Sequence, residues 1–105
     1  MPNTTATRTE IRPKPAPESI KHRYLTRGDV ISAYGLPDRT VRSLFDLLPT
    51  RFLWASRHGP VYGVLPTDVD RAVRAADMSG IPLYKIVKAH TPATFALLLR
   101  EYGNV

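Results

Sequence analysis

Val41, Leu44, Phe45 and Leu48 stand at i, i+3, i+4 and i+7, the period of one face of a helix. Arg39–Leu48 is therefore expected to be an amphipathic helix, with Asp38 as N-cap and Pro49 as its stop. Upstream, Val30, Ile31 and Tyr34 give one apolar face to a helix over Arg27–Tyr34. Thr26 and Asp29 have the spacing of a helix start, because a threonine oxygen accepts an orphan amide and an acid suits the first turn. Gly35 is the expected left-handed stop. Two short helices joined by so tight a turn have the form of a helix-turn-helix.

The pattern then changes. Residues 50–55 (TRFLWA) and 61–65 (VYGVL) read as two strands around the turn Arg57-His58-Gly59-Pro60, a short hairpin with a basic tip. Pro66-Thr67 opens a third helix, with Thr67 and Asp70 repeating the capping spacing, Val69, Ala72, Val73 and Ala76 as its inner stripe, and Gly80 as its close. Residues 81–90 (IPLYKIVKAH) fit a short helix or a strand. Thr91-Pro92 starts a last helix, whose stripe is Phe95, Leu98, Leu99 and Tyr102 and which ends at Gly103. This stripe suits either packing within the domain or a contact between copies of the chain.

The first residues offer nothing to bury, being threonines followed by prolines at 13, 15 and 17. The expected class is mainly α with a small β-hairpin: a winged helix-turn-helix with a disordered N-terminal arm and an extra C-terminal helix. Residues 1–23 form the basic, proline-rich arm, 24–80 the DNA-binding domain and 81–105 the C-terminal helical extension.

Composition narrows the chemistry. A chain of 105 residues suits one domain. With no cysteine, disulfides and cysteine-based zinc sites are excluded. No apolar run approaches the roughly 20 residues of a membrane helix, and the N-terminus lacks the apolar segment of a secretory signal. A cytoplasmic protein without a membrane partner is expected. The net charge of +6 attracts phosphate. It is unevenly spread, since residues 25–78 hold seven Lys/Arg against six Asp/Glu. A nucleic-acid interface there depends on where the arginines sit.

They sit suggestively. The apolar stripe of the second helix leaves Arg39, Thr40, Arg42, Ser43 and Asp46 facing outward. Arginine pairs bidentately with guanine, Thr and Ser reach base edges or phosphates, and the first turns of such a helix enter the major groove. Arg57 and His58 at the hairpin tip, with Arg51 at the base of the first strand, suit a phosphate backbone or a minor groove. For both groups the competing reading is a solvated surface. The five basic residues of the arm suit phosphates without sequence preference, or merely solubilise the chain. Phe52, Trp54 and Tyr62 are expected to pack the hairpin against the helices rather than to stack on bases.

Enzyme chemistry finds no footing. His22, His58 and His90 lack metal-ligand spacing, and Asp68-x-Asp70 lies where a helix dipole favours acids. There is no P-loop, dinucleotide glycine pattern or nucleophile elbow. No enzyme activity, cofactor or metal is expected.

Tyr24–Val73 resembles the excisionase, or recombination directionality factor, family and its relatives in the MerR-like winged-helix group. The resemblance is carried by YLTRGDV, by GLPDRTVRSLF and by RHGPVYGVLPTDVDRAV, in that order and spacing. It implies that Arg39, Thr40, Arg42 and Ser43 read a groove and that Arg57 and His58 belong to a wing. It further implies an architectural protein that binds repeated attachment-site sequences cooperatively, bends the DNA and steers a tyrosine integrase toward excision of a mobile element. The partners implied are double-stranded DNA, an integrase and further copies of the chain. The long arm and the last helix depart from the family pattern. Two other functions fit the same residues: a winged-helix transcriptional regulator at promoters, and a protein-interaction module that binds no DNA.

Overall fold

The computed structural model describes residues 15–103. The elements are α1 (Glu18–Lys21), α2 (Arg27–Tyr34), α3 (Asp38–Leu47), β1 (Arg51–Ser56), β2 (Gly59–Gly63), α4 (Pro66–Ser79), α5 (Leu83–Ala89) and α6 (Pro92–Gly103). The described chain is mainly helical, with one two-stranded antiparallel hairpin, an arrangement compatible with a winged helix.

Local chemistry accounts for most boundaries. Thr26 and Asp29 form a reciprocal capping box at the start of α2, each side chain accepting from the other's backbone N–H at 3.2 and 3.0 Å. Gly35 ends α2 at φ 67°, a conformation in which a side chain would be strained. α3 differs from expectation at its start. Pro37 occupies the N-cap position and Asp38 is the first helical residue, so its carboxylate caps no amide and goes to arginines. α4 differs too: Leu65 is at its N-cap and Pro66 at its first position, and the Thr67–Asp70 box does not form. Asp70 instead accepts from the Tyr34 hydroxyl, tying α2 to α4. Burial first, and then this bond, push the Tyr34 phenol up to about 12. α6 opens with Thr91 and Thr94, whose hydroxyls each accept from the other's backbone N–H.

One core runs through the helices. Val30 of α2, Val41 and Leu44 of α3, Val64 just after β2, and Val69 and Ala72 of α4 form a single buried cluster with Leu83, Ile86, Val87, Phe95 and Leu99. Residues 81–90, open between helix and strand, contain α5, and α5 packs on α3. The region read as a C-terminal extension thus fills the same core as α2 and α3. Phe95 is fully buried, and Leu99 nearly so. Two residues of the α6 stripe, Phe95 and Leu99, are thus spent inside the fold, while Leu98 and Tyr102 stay half-buried.

The hairpin is rooted on the helices. Leu25 exchanges two backbone hydrogen bonds with Val64, at 2.8 and 2.9 Å, so the residues just before α2 pair with the chain just after β2. Gly63 lies in this crossing: a Cβ there would come within 2.7 Å of Leu53 Cδ1 and 2.8 Å of Tyr24 Cβ. A bulge between Phe52 and Trp54 shifts the register, and Leu53 is the fully buried residue of β1. The aromatic residues do less core packing than expected. Trp54 is half-buried under the Lys21 ammonium, and Phe52 meets Tyr62 edge-on.

The arm also ends differently. Ala16 is buried and donates from its N–H to the Leu53 carbonyl at 2.8 Å, and α1 follows. Residues 16–23, read as disordered, are instead ordered, tied to β1 at Ala16 and closed on themselves by the backbone bonds of α1. Arg8, Arg12 and Lys14 lie outside the described residues.

Candidate nucleic-acid interface

α3 presents an exposed ridge with a different neighbour on each side. Val41 and Leu44 anchor it to the core, which turns Arg39, Arg42 and Asp46 to solvent. On one side a groove of about 720 Å³ runs between α3 and the hairpin. Arg42, Phe45 and Asp46 form the α3 wall, Ser56, His58 and Tyr62 the hairpin wall, and Arg27 closes one end from the start of α2. On the other side a cleft of about 420 Å³ separates Arg39, Thr40 and Ser43 from Tyr84, Val87 and Lys88 of α5.

The expected readers are therefore divided. Arg42 and His58 share the groove, with Arg57 exposed beside His58 at the hairpin tip. Arg39 is exposed on the ridge and borders the second cleft with half-buried Ser43. Thr40 is only 5% exposed, so the expectation that it faces outward is corrected. Adjacent to Val41, it sits at the edge of the inner stripe, at the floor of the cleft toward α5. Arg51 is exposed at the root of the hairpin and lines neither groove nor cleft.

Three positions reach this surface that the pattern of α3 and the hairpin tip did not single out. Arg27 is the residue after the α2 cap, and its cation borders the groove for that reason. Tyr84 and Lys88 stand one turn apart on α5, where YKIVK carries the polar half of a helical period. Their visibility from sequence depended on reading 83–89 as a helix.

The tip is fixed by its own hydrogen bonds. The Ser56 hydroxyl donates to the Gly59 carbonyl at 2.8 Å and accepts from the His58 N–H at 3.2 Å. His58 is thus carried on a two-residue loop of defined shape. The cations of the groove are held as well. The Asp38 carboxylate meets Arg42 Nε at 2.9 Å and Arg27 Nε at 3.6 Å. Asp46 adds a negative charge to the groove wall, and no salt bridge joins it to Arg42 or Arg27 among the described contacts.

Another cleft, lined by Leu48, Asp68, Arg71, Phe95 and Arg100, is mixed in character. Burial pushes the Asp68 carboxyl up from its usual range, and the Arg71 guanidinium at 3.9 Å partly offsets this. Among the described residues no group of three His, Asp or Glu side chains is placed to hold a metal ion. No described helix is long and apolar enough to cross a membrane.

No family model, curated protein or solved structure matches the chain.

Proposed function

We propose that the protein is a sequence-specific double-stranded DNA-binding protein of the winged helix-turn-helix class, with α3 as the recognition helix and the β1–β2 hairpin as its wing. One observation carries the reading: an exposed arginine ridge on a short helix faces, across an open groove, a hairpin tip bearing Arg57 and His58. A helix seated in a major groove has a phosphate strand beside it, and a hairpin alongside meets that strand. Arg39 and Arg42 then address base edges, while Arg27, Arg57 and His58 bind phosphate. Thr40 has no part in readout, and Ser43 has a minor one.

The resemblance of Tyr24–Val73 to excision factors supports a narrower version, an architectural protein loaded in several copies on repeated sites beside an integrase, in the cytoplasm with its DNA. A single ridge reads few base pairs, so selecting one site requires neighbouring copies. Because Phe95 and Leu99 are used internally, we assign the contact between copies to the hairpin first. The test is binding to duplexes carrying one, two and three copies of a sequence selected from a random pool, followed by gel shift and sedimentation at two salt concentrations. Salt-dependent binding that becomes cooperative with site number is expected. A stable dimer occupying one palindrome would favour a promoter regulator, and retention of no duplex would leave an interaction module.

A further inference from the structure

Two arginines line the groove, and the group that holds both of them does not. Arg42 belongs to α3 and Arg27 to the start of α2; each has its Nε on the carboxylate of Asp38, at 2.9 and 3.6 Å. Asp38 is exposed and is the first residue of α3. It lies one turn before Arg42 on the same face, the spacing at which helical side chains meet.

We infer that Asp38 is a positioning residue for DNA readout: it pre-orients the Arg42 guanidinium and anchors Arg27 at the end of the groove. The inference rests on the DNA-binding reading above. The physical case has three parts. A guanidinium carries five N–H donors in one plane, and contact at Nε leaves terminal donors on the outer edge for a guanine or a phosphate. An arginine already held in one orientation loses less rotamer freedom when it engages a base. The carboxylate also lowers the local positive charge, which weakens attraction to any phosphate regardless of sequence. Asp38 therefore sacrifices general affinity and gains discrimination. A surface ion pair of this kind contributes little to stability, so its value lies in geometry.

The two terms separate experimentally. The full chain is used to select a duplex from a randomised pool, and affinity for that duplex and for random duplex is measured by fluorescence anisotropy. The readout is the ratio of the two dissociation constants in wild type, Asp38→Ala, Asp38→Asn, Arg42→Ala and the Asp38→Ala/Arg42→Ala double variant, each checked for folding by circular dichroism. Asp38→Ala is expected to bind random duplex a few-fold more tightly and to lose roughly tenfold in the ratio, the scale of one bidentate base contact. Asp38→Asn, which retains an acceptor oxygen, keeps most of the ratio while sharing the gain on random DNA. In the Arg42→Ala background, adding Asp38→Ala leaves the ratio unchanged. A ratio unaltered by Asp38→Ala overturns the inference, as does an equal loss with and without Arg42. Both outcomes leave the DNA-binding reading standing, provided wild type selects a duplex. A wild-type chain that selects none overturns both.

Discussion

On one flank of α3, Arg42, Phe45 and Asp46 look across an open groove to the hairpin; on the other, Thr40 and Ser43 line a smaller cleft against α5. The two flanks come from one ten-residue helix, and only a partner distinguishes them. The hairpin touches the helical body at its root, through Leu25 and Val64, and so leaves a gap beside α3. α5 lies against α3 and inserts Leu83, Ile86 and Val87 into the core that Val41 and Leu44 occupy. The lesson is that a helical wheel fixes which face is apolar, whereas a neighbouring helix decides how far burial spreads around it. If this contrast is correct, the α5–α6 side is structural, the hairpin side is free to bind, and substitutions on each should report different quantities.

The largest effect belongs to the packed side. Phe95→Ala should cost about 3–5 kcal/mol, the usual penalty for emptying a fully buried aromatic site. A chain stopped at Gly80 should fail to unfold cooperatively, because it lacks Leu83, Ile86, Val87, Phe95 and Leu99. Urea denaturation followed by circular dichroism measures both. A truncated chain with a sharp transition near that of the full chain would make residues 24–80 self-sufficient and remove the asymmetry between the flanks.

These particulars show how much of the fold was legible. The Thr26–Asp29 box, the stop at Gly35 and the Val41-Leu44-Phe45-Leu48 stripe are local, and each was read from residues within one or two turns of one another. The hairpin was legible from its turn residues, to within one or two positions at its ends. What failed to show was tertiary. Thr40 is a polar residue on the stripe's edge, and nothing within α3 says that it is buried beside a helix more than forty residues later. Ala16 is held by a β1 backbone acceptor, and a spare carbonyl leaves no mark on side-chain pattern. Asp38 has the identity of a cap, yet Pro37 takes that position and the carboxylate turns to arginines. Of the candidate site, Arg39, Arg42, Arg57 and His58 were visible because they are exposed whatever packs nearby. Arg27 and Lys88 were not, because their nearness to α3 is a property of the assembled helices.

The hairpin side rests on its root. Gly63→Ala should cost about 1–3 kcal/mol, since a Cβ must displace Leu53 and Tyr24 where two chain segments cross. DNA affinity should fall with it, because the same crossing sets the distance from His58 to α3. Thermal unfolding and gel shift on one preparation measure both effects. A destabilised variant with unchanged affinity would mean that the hairpin does not help to bind.

Next comes a direct opposition of two neighbours on α3. Arg42→Ala should weaken binding to a selected duplex by about 1–3 kcal/mol and leave the melting temperature nearly unchanged. Thr40→Val should do the reverse, leaving affinity intact while altering stability by at most about 1–2 kcal/mol, the scale of a buried hydroxyl change. Equal losses of affinity from both would restore Thr40 as a reader and require it to become exposed on binding.

The smallest effect tests the electrostatics of the open flank. Asp46 is the one carboxylate among the described residues that lines the α3–hairpin groove, exposed one turn after Arg42. If a phosphate strand passes through that groove, Asp46 opposes it at every sequence. Asp46→Asn should then tighten binding to selected and random duplexes by a similar factor, worth about 0.2–1 kcal/mol, as for exposed charge interactions. The gain should shrink as salt rises, since the groove is open to solvent and the interaction is screened within about 10 Å at 0.1 M. Asp77→Asn is the matching control. It removes the same charge from α4, at a cleft lined by Leu36, Ile81 and Leu83 that shares no residue with the groove. If DNA lies in the groove, the two variants separate at low salt and converge at high salt. An identical gain from both would mean that only net charge matters, and that the groove between α3 and the hairpin is not where the phosphates run.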